Sequence, residues 1–326
     1  KRYAKELMQE AGIPTGRARV FSEYDDARAY LETLDAPYVI KATGLAEGKG
    51  VTVARDIEKA RQALRKCLVD SAFGDAGHEV LIEEYLEGEE ASLLAFADGT
   101  RIRAMDSAQD HKPVFDGDRG PNTGGMGSYS PAPVMTAERH QFCVSEILEP
   151  CMRVLRGRGI DYRGILYAGL MITESGPKVI EFNCRFGDPE TQALLPRLET
   201  DLVEVMLACA NGTLSDLELK WSRRSAVCVV AASGGYPGLY AKGMSISGLE
   251  QVRDQEDVIV FHAGTRLEGA RVLTNGGRVL GVTALHDNLG KAIEHGYACL
   301  DQIQFDGKHS RRDIGHHALK HAEFPA

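Results

Sequence analysis

A glycine-rich lysine segment, VIKATGLAEGKGV at residues 39–51, lies between two short runs of β-branched residues. Glycines beside a lysine are typical of phosphate sites, but this segment does not fit the Walker A loop. Lys49 is followed by Gly50 and a predicted strand, whereas that loop needs a hydroxyl residue and a helix. The dinucleotide fingerprint also fails, because no third glycine follows Gly48 and Gly50. The pattern predicts a flexible turn between antiparallel strands, in which Lys49 and backbone N–H groups cover the outer phosphates of a nucleotide such as ATP while Lys41 reaches an inner phosphate. A plain hairpin with surface lysines is an equally good interpretation of this segment alone.

The segment IEEYLEGEE, residues 82–90, predicts a break between two strands. Such a break offers backbone N–H and C=O groups to an adenine edge, and a carboxylate a few residues later can hold two ribose hydroxyls. Acidic residues beside a turn are more often only a solvated surface. The segment therefore supports a nucleotide site only together with other features.

The segment KVIEFNCRFGDPETQ, residues 178–192, carries the strongest chemical signal. Its apolar residues predict a buried strand, so Glu181 and Asn183 project together from the other face. A carboxylate and an amide oxygen suit Mg²⁺ that keeps phosphate and water ligands. The same period of two places Arg185 on that side, where it can neutralise a carboxylate or an acyl phosphate.

Periodicity predicts helices and strands around these segments. Helices are expected near residues 3–11, 24–34, 57–69, 137–156, 201–211 and 289–303. Strands are expected at residues 37–42, 51–54, 79–86, 90–99, 167–173, 177–183, 226–233, 258–264, 271–277 and 278–285. The glycine-containing stretch from residue 106 to residue 133 has little periodicity and is expected to be a functional loop. The strands after Trp221 indicate a separate α+β module with a boundary near residues 217–222.

Composition excludes several classes of function. Lys plus Arg number 38 and Asp plus Glu 47, and the formal charge of −9 disfavours nucleic acid as a partner. No apolar stretch approaches the ~18 residues of a membrane span. The seven cysteines contain no C-x-x-C pair, which disfavours a structural zinc site and indicates a reduced, cytoplasmic protein.

Together these segments resemble the ATP-grasp superfamily and, within it, the phosphoribosylamine-glycine ligase family. The most specific matching segments are SAQDHK (107–112), GPNTGGMGSYSPAP (120–133), GILYAGLMI (164–172), IEFNCRFGDPETQ (180–192) and, in the last module, GGYPG, FHAGT and TNGGRVLGVTA. The resemblance implies ATP-dependent ligation of glycine to 5-phosphoribosylamine through a glycyl phosphate, a step of purine biosynthesis. The products are glycinamide ribonucleotide, ADP and phosphate. Another ATP-grasp carboxylate-amine ligase, a biotin carboxylase relative, or an ATP-binding module without catalysis are the alternatives.

The resemblance also implies roles for individual residues. Nucleotide contacts are expected from Lys1, Lys41, Gly44, Gly48, Lys49, Gly50, Glu83, Glu84, Tyr85, Leu86 and Glu90. Acceptor-site contacts are expected from Gln109, Asp110, His111, Lys112, Pro121, Asn122, Thr123, Gly124, Gly125, Met126, Gly127, Arg185 and Asp188. The expected catalytic residues are Lys41, Lys49 and Arg185, and the expected ligands of Mg²⁺ or Mn²⁺ are Glu181 and Asn183. For His111, satisfaction by local backbone is an equal alternative. Gly169 stands where many ATP-grasp enzymes have a further acidic metal ligand.

The fold class expected from the resemblance is α/β (α+β), an ATP-grasp fold with a flexible antiparallel lid and a smaller C-terminal domain. The expected domains are a central domain (1–16 and 86–220), a lid subdomain (17–85) and a C-terminal α+β domain (221–326). The family's N-terminal α/β domain is expected to be absent, so that the chain binds ATP but ligates poorly without it. The implied partners are glycine and 5-phosphoribosylamine, with that missing domain as a further one, and neither nucleic acid nor a membrane.

Overall fold

The computed structural model describes residues 1–44 and 50–323, and the chain divides into two compact units. Unit 1 consists of Lys1–Glu89, Phe142–Ile160 and Ala168–Phe182, and unit 2 consists of Glu90–Gln141, Asp161–Tyr167 and Asn183–Ala326. Each unit is therefore assembled from separate stretches of the sequence. Two predicted site residues, Gly48 and Lys49, lie outside the described residues.

The helices and strands are numbered in chain order. The helices are α1 (Arg2–Ala11), α2 (Tyr24–Leu31), α3 (Ile57–Leu68), α4 (Ala137–Cys143), α5 (Glu149–Gly157), α6 (Glu190–Leu194), α7 (Leu202–Asn211), α8 (Leu249–Val252), α9 (Leu289–Gln302) and α10 (His316–Glu323). The strands are β1 (Ala18–Phe21), β2 (Tyr38–Ala42), β3 (Val51–Ala54), β4 (Val80–Glu83), β5 (Glu89–Asp98), β6 (Ile102–Asp110), β7 (Pro113–Phe115), β8 (Arg119–Asn122), β9 (Gly127–Ser130), β10 (Arg163–Thr173), β11 (Gly176–Asn183), β12 (Ser225–Ser233), β13 (Val258–His262), β14 (Thr265–Glu268), β15 (Arg271–Thr274), β16 (Arg278–His286) and β17 (Lys308–His309). A π-helical segment, Val144–Leu148, joins α4 to α5, and 3₁₀ turns occur at Gly74–Gly77, Leu195–Arg197 and Leu214–Asp216.

Unit 1 contains an antiparallel sheet with the strand order β1-β4-β2-β3. Helices α2 and α3 pack against one face of this sheet, where Leu31, Ile40 and Leu64 belong to one apolar core. Asp56 caps α3 by accepting a hydrogen bond from the Lys59 backbone N–H, which satisfies one of the unpaired donors of the first turn. The predicted strands on either side of the glycine segment are confirmed as the antiparallel pair β2 and β3.

Alternation along β2 and β4 separates the apolar side chains from the charged ones. Ile40 and Ile82 are paired in register and both belong to the core between sheet and helices. Lys41 and Glu83 follow them directly, so their side chains project from the opposite face. The strand pattern therefore brings an ammonium group and a carboxylate together on the face opposite α2 and α3.

Unit 2 contains an antiparallel sheet path β5-β6-β9-β12-β16-β13, with β17 added beside β12. Helix α9 packs on β12 and β16, whose central residues are almost entirely buried. A second core contains Leu94, Phe96, Tyr167 and Leu194. The predicted strands of the last module and its helix are confirmed as β12, β13, β15, β16 and α9, whereas β14, β17 and α10 were not predicted.

The prediction of a loop over residues 106–133 is wrong. Strand β6 extends to Asp110, β7 pairs with β8, and β9 pairs with both β6 and β12. These later strands are three or four residues long, and glycines with positive φ, such as Gly117 and Gly120, interrupt them. Strands this short develop no alternation that a sequence pattern can reveal. Within the described part of the chain, no helix is both long and apolar enough to cross a membrane.

Candidate functional site

Lys5, Glu83 and Lys41 form a buried charged group in unit 1, here called the lysine-carboxylate triad. Lys41 Nζ contacts Glu83 Oε2, and Lys5 Nζ, from α1, contacts Glu83 Oε1. All three residues are at most 7% exposed. Burial lowers the pKa of Lys5, and the Glu83 carboxylate opposes this shift. Two ammonium groups share one carboxylate, so the triad carries a positive charge suited to a phosphate.

Lys41 also lies beside the strand that carries the predicted metal ligands. Its Nζ donates a hydrogen bond to the carbonyl oxygen of Ile180 at 3.3 Å. Ile180 directly precedes Glu181 in the sequence. Burial lowers the pKa of Lys1, while Glu181 raises it and Lys41 lowers it. The charges of Lys41 and Glu181 thus both act on Lys1 within unit 1.

Lys1 holds the backbone at the entrance to the glycine segment. Its Nζ donates to the carbonyl oxygens of Ala42 at 2.7 Å and Gly44 at 2.9 Å. A Cβ atom on Gly44 would lie 2.4 Å from Ala76 Cα, so only glycine fits this close backbone approach. On the other side of the segment, the buried Gly50 accepts a hydrogen bond from the Ala42 N–H at 2.8 Å. The described ends of the segment are therefore held close together.

The predicted adenine segment begins where β4 ends. Glu84 accepts a hydrogen bond from the Arg17 backbone N–H at 3.0 Å, and this bond lowers the pKa of the Glu84 carboxyl. Tyr85 is 40% exposed and Leu86 is half-buried. The Glu83 side chain is engaged by two lysines, so any contact of the predicted segment with a base would have to come from the residues that follow Glu83.

Asp110, Lys112 and Glu90 form an acidic network in unit 2. Lys112 Nζ lies 2.5 Å from Glu90 Oε2 and 3.5 Å from Asp110 Oδ1. Burial raises the pKa of Asp110 to about 7, against the effect of Lys112. Burial lowers the pKa of Lys112, but Asp110 and Glu90 outweigh it and raise that pKa well above the ordinary value. The neighbouring carboxylates raise both pKa values: Glu190 and Glu90 add to the effect of burial on Asp110, whereas Asp110 and Glu90 overcome the effect of burial on Lys112.

Glu190 belongs to a buried hydrogen-bond network that sequence reasoning did not identify. The Tyr167 hydroxyl donates to Glu190 Oε1, and Ser92 Oγ lies 2.8 Å from the Tyr167 hydroxyl and 3.2 Å from the same carboxylate oxygen. Burial and Glu190 raise the pKa of Tyr167, which keeps its phenol protonated. The residue lies two positions after the predicted Asp188 in the sequence, but nothing local distinguished Glu190 from a surface acid.

The acceptor loop predicted at residues 121–127 is held by Arg278, which was also not predicted. Arg278 Nη1 donates to the carbonyl oxygens of Gly124 at 2.8 Å and Asp188 at 2.7 Å, and Nη2 donates to Asp188 Oδ2 at 2.9 Å. Gly125 has φ +117°, and a Cβ there would lie 2.3 Å from Pro189 Cδ. The predicted loop 121–127 and the predicted Asp188 are therefore joined by one arginine and by a contact that requires glycine.

The remaining acceptor residues differ in exposure. Pro121 and Asn122 are exposed, whereas Met126 and Gly127 are buried in backbone pairing with His111. Gln109 is buried and accepts a hydrogen bond from the Tyr129 hydroxyl.

His111 is 2% exposed, and its Nε2 accepts a hydrogen bond from the Gly315 N–H at 3.3 Å. Burial lowers the pKa of His111 to about 3, and Arg311 contributes in the same direction. The backbone group that contacts the ring is thus distant in sequence, and it is not the local backbone that the alternative interpretation of His111 invoked.

The end of β11 corrects one prediction. Glu181 and Asn183 occupy alternate positions of the strand, as predicted, but the strand ends at Asn183. Arg185 therefore lies in a bend where the period of two no longer applies, and its Nη1 donates to the Phe186 carbonyl oxygen at 2.7 Å. Gly169 faces Glu181, because a Cβ on Gly169 would lie 3.3 Å from Glu181 Cγ.

Comparison with protein families gives two matches along the chain. The model of the phosphoribosylglycinamide synthetase ATP-grasp (A) domain matches residues 1–191, and that of the phosphoribosylglycinamide synthetase C domain matches residues 226–317. Curated relatives named phosphoribosylamine-glycine ligase include those of Allochromatium vinosum and Salmonella typhimurium. The first is 52% identical over 320 residues, which cover 98% of this chain and 74% of the relative. The second is 49% identical over 324 residues, which cover 98% and 75%.

Solved structures agree with these matches. The crystal structure of phosphoribosylamine-glycine ligase from Thermotoga maritima has a TM-score of 0.88 at 33% identity, covering 96% of this chain and 78% of that chain. The biotin carboxylase domain of Hydrogenobacter thermophilus 2-oxoglutarate carboxylase, solved with MgADP and bicarbonate, has a TM-score of 0.71 at 16% identity, covering 93% and 65%. The second likeness concerns the fold alone. The ATP-grasp fold predicted from the sequence is confirmed.

Proposed function

The chain belongs to the phosphoribosylglycinamide synthetase family, and we propose here how its residues carry out the reaction of that family. The reaction joins glycine to 5-phosphoribosylamine while ATP is cleaved to ADP and phosphate, and it produces glycinamide ribonucleotide for purine biosynthesis. The family resemblance inferred from the sequence is thereby confirmed. The roles of individual residues below are proposals.

The observation that carries the proposal is the convergence of Lys1, Lys41 and Glu181 in unit 1. Lys41 bridges the triad and the Ile180 carbonyl, and the charge of Lys1 is coupled to both Lys41 and Glu181. Such buried ammonium groups beside a carboxylate suit a polyphosphate with its metal. We assign Lys41 and Lys1 to the inner phosphates of ATP, and the glycine segment with Lys49 to the outer ones.

The base and the ribose of ATP are assigned to the neighbouring segments. Because Glu83 is engaged by Lys5 and Lys41, the adenine edge is assigned to backbone groups of Glu84–Leu86. Glu90 is assigned to the ribose hydroxyls. When ATP binds, hydrogen bonds from these hydroxyls replace the ion pair between Glu90 and Lys112. A carboxylate accepts hydrogen bonds from both hydroxyls of a ribose, as this role requires.

Glu181 and Asn183 fit a magnesium ion. Alternate positions of β11 present a carboxylate and an amide oxygen on one face, and Mg²⁺ prefers oxygen donors. Gly169 faces Glu181 without a side chain, which leaves room for phosphate and water ligands. When bound, Mg²⁺ or Mn²⁺ neutralises phosphate charge and orients the triphosphate.

The chemistry then needs mainly positioning and charge neutralisation. The glycine carboxylate takes the γ-phosphoryl group of ATP to give glycyl phosphate and ADP, and the amine of 5-phosphoribosylamine attacks the carbonyl carbon and displaces phosphate. Lys41, Lys49 and Arg185 stabilise the developing charge. The attacking amine is neutral near pH 7 and needs no strong base. We assign the acceptors to the segments 109–112 and 121–127, together with Asp188.

We further infer a cytoplasmic location for the protein. Several cysteines, among them Cys67, Cys143 and Cys228, are buried free thiols, and Cys184 is an exposed one. Free thiols persist in a reducing compartment. The substrates assigned above are small molecules, and the formal charge of −9 gives no support for nucleic acid binding.

The proposal is tested by ADP release from the purified protein with glycine and 5-phosphoribosylamine, each added or omitted. ADP release is expected to require glycine, and bicarbonate or alanine is not expected to replace it. Stimulation by bicarbonate instead would favour a carboxylase.

Glu181→Gln in unit 1 is expected to raise the Mg²⁺ concentration needed for half-maximal rate. Arg185→Ala in unit 2 is expected to lower turnover about 100-fold with little change in ATP affinity. Turnover like that of the wild type in either variant would remove the role assigned to that residue.

A further inference from the structure

Three histidines from distant parts of the sequence meet in unit 2, and they are called the histidine cluster. His111 follows β6, and His316 and His317 are the first residues of α10. One ring nitrogen from each lies within 4.8 Å of the others. The ring centroids of His316 and His317 are 3.8 Å apart, and that of His111 is 5.4 Å and 5.7 Å from them. Imidazole groups this close are typical of a site for a transition-metal dication.

One of the two helix histidines, His316, is oriented like a metal ligand. Its Nδ1 donates to the Asp313 carbonyl oxygen at 2.8 Å, which leaves the lone pair on Nε2. A ligating histidine ordinarily makes such a bond with its other nitrogen, because the bond fixes the tautomer and the ring angle. His316 Nε2 lies 3.6 Å from Asp118 Oδ2, and His317 Nε2 donates a hydrogen bond to the same oxygen at 3.0 Å, which a metal between the two residues would replace. Asp118 is therefore placed as a fourth ligand.

His111 supplies an independent observation. Its ring is 2% exposed, and among the described residues its Nδ1 has no hydrogen-bond partner. Because Nε2 accepts the hydrogen bond from the Gly315 N–H at 3.3 Å, the proton of the neutral ring lies on Nδ1 and the lone pair on Nε2. A bond of this length is weak. Within the described part of the chain, the Nε2 lone pair of this buried ring is thus only weakly engaged and available to a metal.

The local charge favours a cation in spite of a nearby arginine. Arg311 is fully buried, but its guanidinium pairs with Asp118 at 2.9 Å and with Asp313 at 2.8 Å. With neutral imidazoles, one guanidinium and two carboxylates leave a charge of −1. A dication is therefore attracted to the cluster.

We propose that His111, His316, His317 and Asp118 form a structural site for Zn²⁺. Zinc takes nitrogen and oxygen ligands in a tetrahedron, with Zn–N bonds of about 2.0–2.1 Å. Neighbouring ligand atoms of such a tetrahedron are about 3.4 Å apart. The ring nitrogens of the cluster lie within 4.8 Å of one another, and rotations of the side chains bring them to the shorter distance. Zinc takes the Nε2 lone pairs of His316 and His111, and His111 gives up its bond from the Gly315 N–H. In neutral His317 the proton moves from Nε2 to Nδ1 through solvent, so that all three imidazoles bind uncharged and no net proton is released. The bound ion ties residues 111–118 to residues 311–317.

This site differs from the magnesium site in position and chemistry. It contains no residue assigned to the triphosphate, and its imidazole ligands suit zinc rather than magnesium. His111 also lies in the acceptor segment 109–112, but its side chain is buried, so a metal there would support that segment. The cysteine spacing disfavoured a zinc site, and that argument concerned thiolate ligands. His111 lies far in sequence from the adjacent pair His316 and His317, so the sequence contains no spacing motif that would indicate the site.

The test uses metal-depleted protein without ATP, titrated with Co²⁺ as a visible-absorption probe and with Zn²⁺ in competition. One equivalent is expected to give the absorption of a tetrahedral nitrogen and oxygen site, and Zn²⁺ is expected to raise Tm. His317→Asn and His316→Asn are each expected to weaken binding at least about 10-fold. The matched control His262→Asn removes an exposed histidine that contacts Thr265, and it is expected to bind like the wild type.

Three outcomes would overturn the proposal: no stoichiometric binding, binding unchanged in His317→Asn, or binding lost in Cys184→Ser, which removes the exposed thiol. X-ray absorption of zinc-loaded wild-type protein keeps the test decisive if a histidine variant does not fold. Only nitrogen and oxygen at about 2.0–2.1 Å support the site, and a sulfur ligand near about 2.3 Å refutes it.

Discussion

Replacement of Glu83 by glutamine tests the lysine-carboxylate triad most directly. Glu83 is 6% exposed and contacts Lys5 and Lys41, which are buried to a similar degree. Glutamine keeps the shape of the side chain but removes its charge. Two ammonium groups then remain buried together without a carboxylate between them.

The expected magnitude follows from Coulomb's law and from the cost of burial. Each contact between unit charges is worth about 4 kcal/mol at ~4 Å and an effective dielectric constant of about 20, so about 8 kcal/mol of attraction is lost. The carboxylate no longer has to be desolvated, which returns several kcal/mol. Removal of one partner of a buried ion pair accordingly costs about 3–5 kcal/mol, and we expect Glu83→Gln to lower the free energy of unfolding by this amount.

The cost should also depend on pH. Burial already lowers the pKa of Lys5, and Glu83 opposes the shift, so Glu83→Gln lowers that pKa further. A lysine with a folded-state pKa below its unfolded-state value destabilises the protein fully below the folded pKa. This cost disappears as pH rises toward the unfolded value of about 10.5. The deficit of Glu83→Gln relative to the wild type should therefore shrink between about pH 7 and about pH 10.

The measurement is urea unfolding of wild type and variant at both pH values, with Glu84→Gln as a matched control. Glu84 is the next residue, its side chain is 34% exposed, and it pairs with Arg17 at 3.5 Å. An exposed pair of this kind contributes at most about 1 kcal/mol, so the control should change little. If Glu83→Gln costs no more than Glu84→Gln near pH 7, the triad has no electrostatic role in the folded state.

Three further predictions concern the proposed substrate sites. Lys41→Met should weaken binding of a non-hydrolysable ATP analogue by about 1.5–3 kcal/mol, or about 10- to 150-fold, because a charged hydrogen bond to phosphate is lost. Calorimetric titration measures this affinity, and an unchanged value would contradict the assignment of Lys41. The raised pKa of Asp110 means that, between pH 3.8 and about pH 7, the folded wild type holds a proton that the unfolded chain has released. The unfolding free energy of the wild type should therefore fall with rising pH in this range, relative to that of Asp110→Asn. Unfolding measured at a series of pH values tests this. Parallel curves would show that Asp110 is not buried as an acid. Arg278→Met should release Gly124 and Asp188 from one another and lower kcat/KM for glycine about 100-fold through misplacement, while ATP affinity measured without acceptor stays constant. A fall in ATP affinity instead would place the effect elsewhere.

Much of the fold follows from local patterns in the sequence. Strand β2 and helix α3 were predictable because an apolar run and an amphipathic period with an aspartate cap are decided by neighbouring residues. The segment from residue 106 to residue 133 was not, because strands of three or four residues gain their stability from pairing with partners elsewhere in the chain. Strand β9, for example, is fixed between β6 and β12, which lie far apart in sequence.

The candidate site divides in the same way. Lys41 was identifiable because it lies on a predicted strand directly before the glycine segment, and Glu181 because strand alternation separates it from the apolar residues beside it. Lys5, Glu190 and Arg278 were not, because their importance lies in a contact with a residue distant in sequence. Lys5 by its local pattern is one more polar position of an amphipathic helix.

Pairing between strands decides which charges interact, and this has a consequence for how the site should be dissected. Lys41 meets Glu83 only because β2 and β4 pair with Ile40 opposite Ile82, and a register shifted by one residue would move every charge of one strand to the apolar face. The charges of Lys5, Glu83 and Lys41 therefore form one electrostatic unit rather than three separate contributions. A single substitution measures the loss of a partner together with the strain on the group left behind, so the energy of each contact can be assigned only from a double-mutant cycle across the pair.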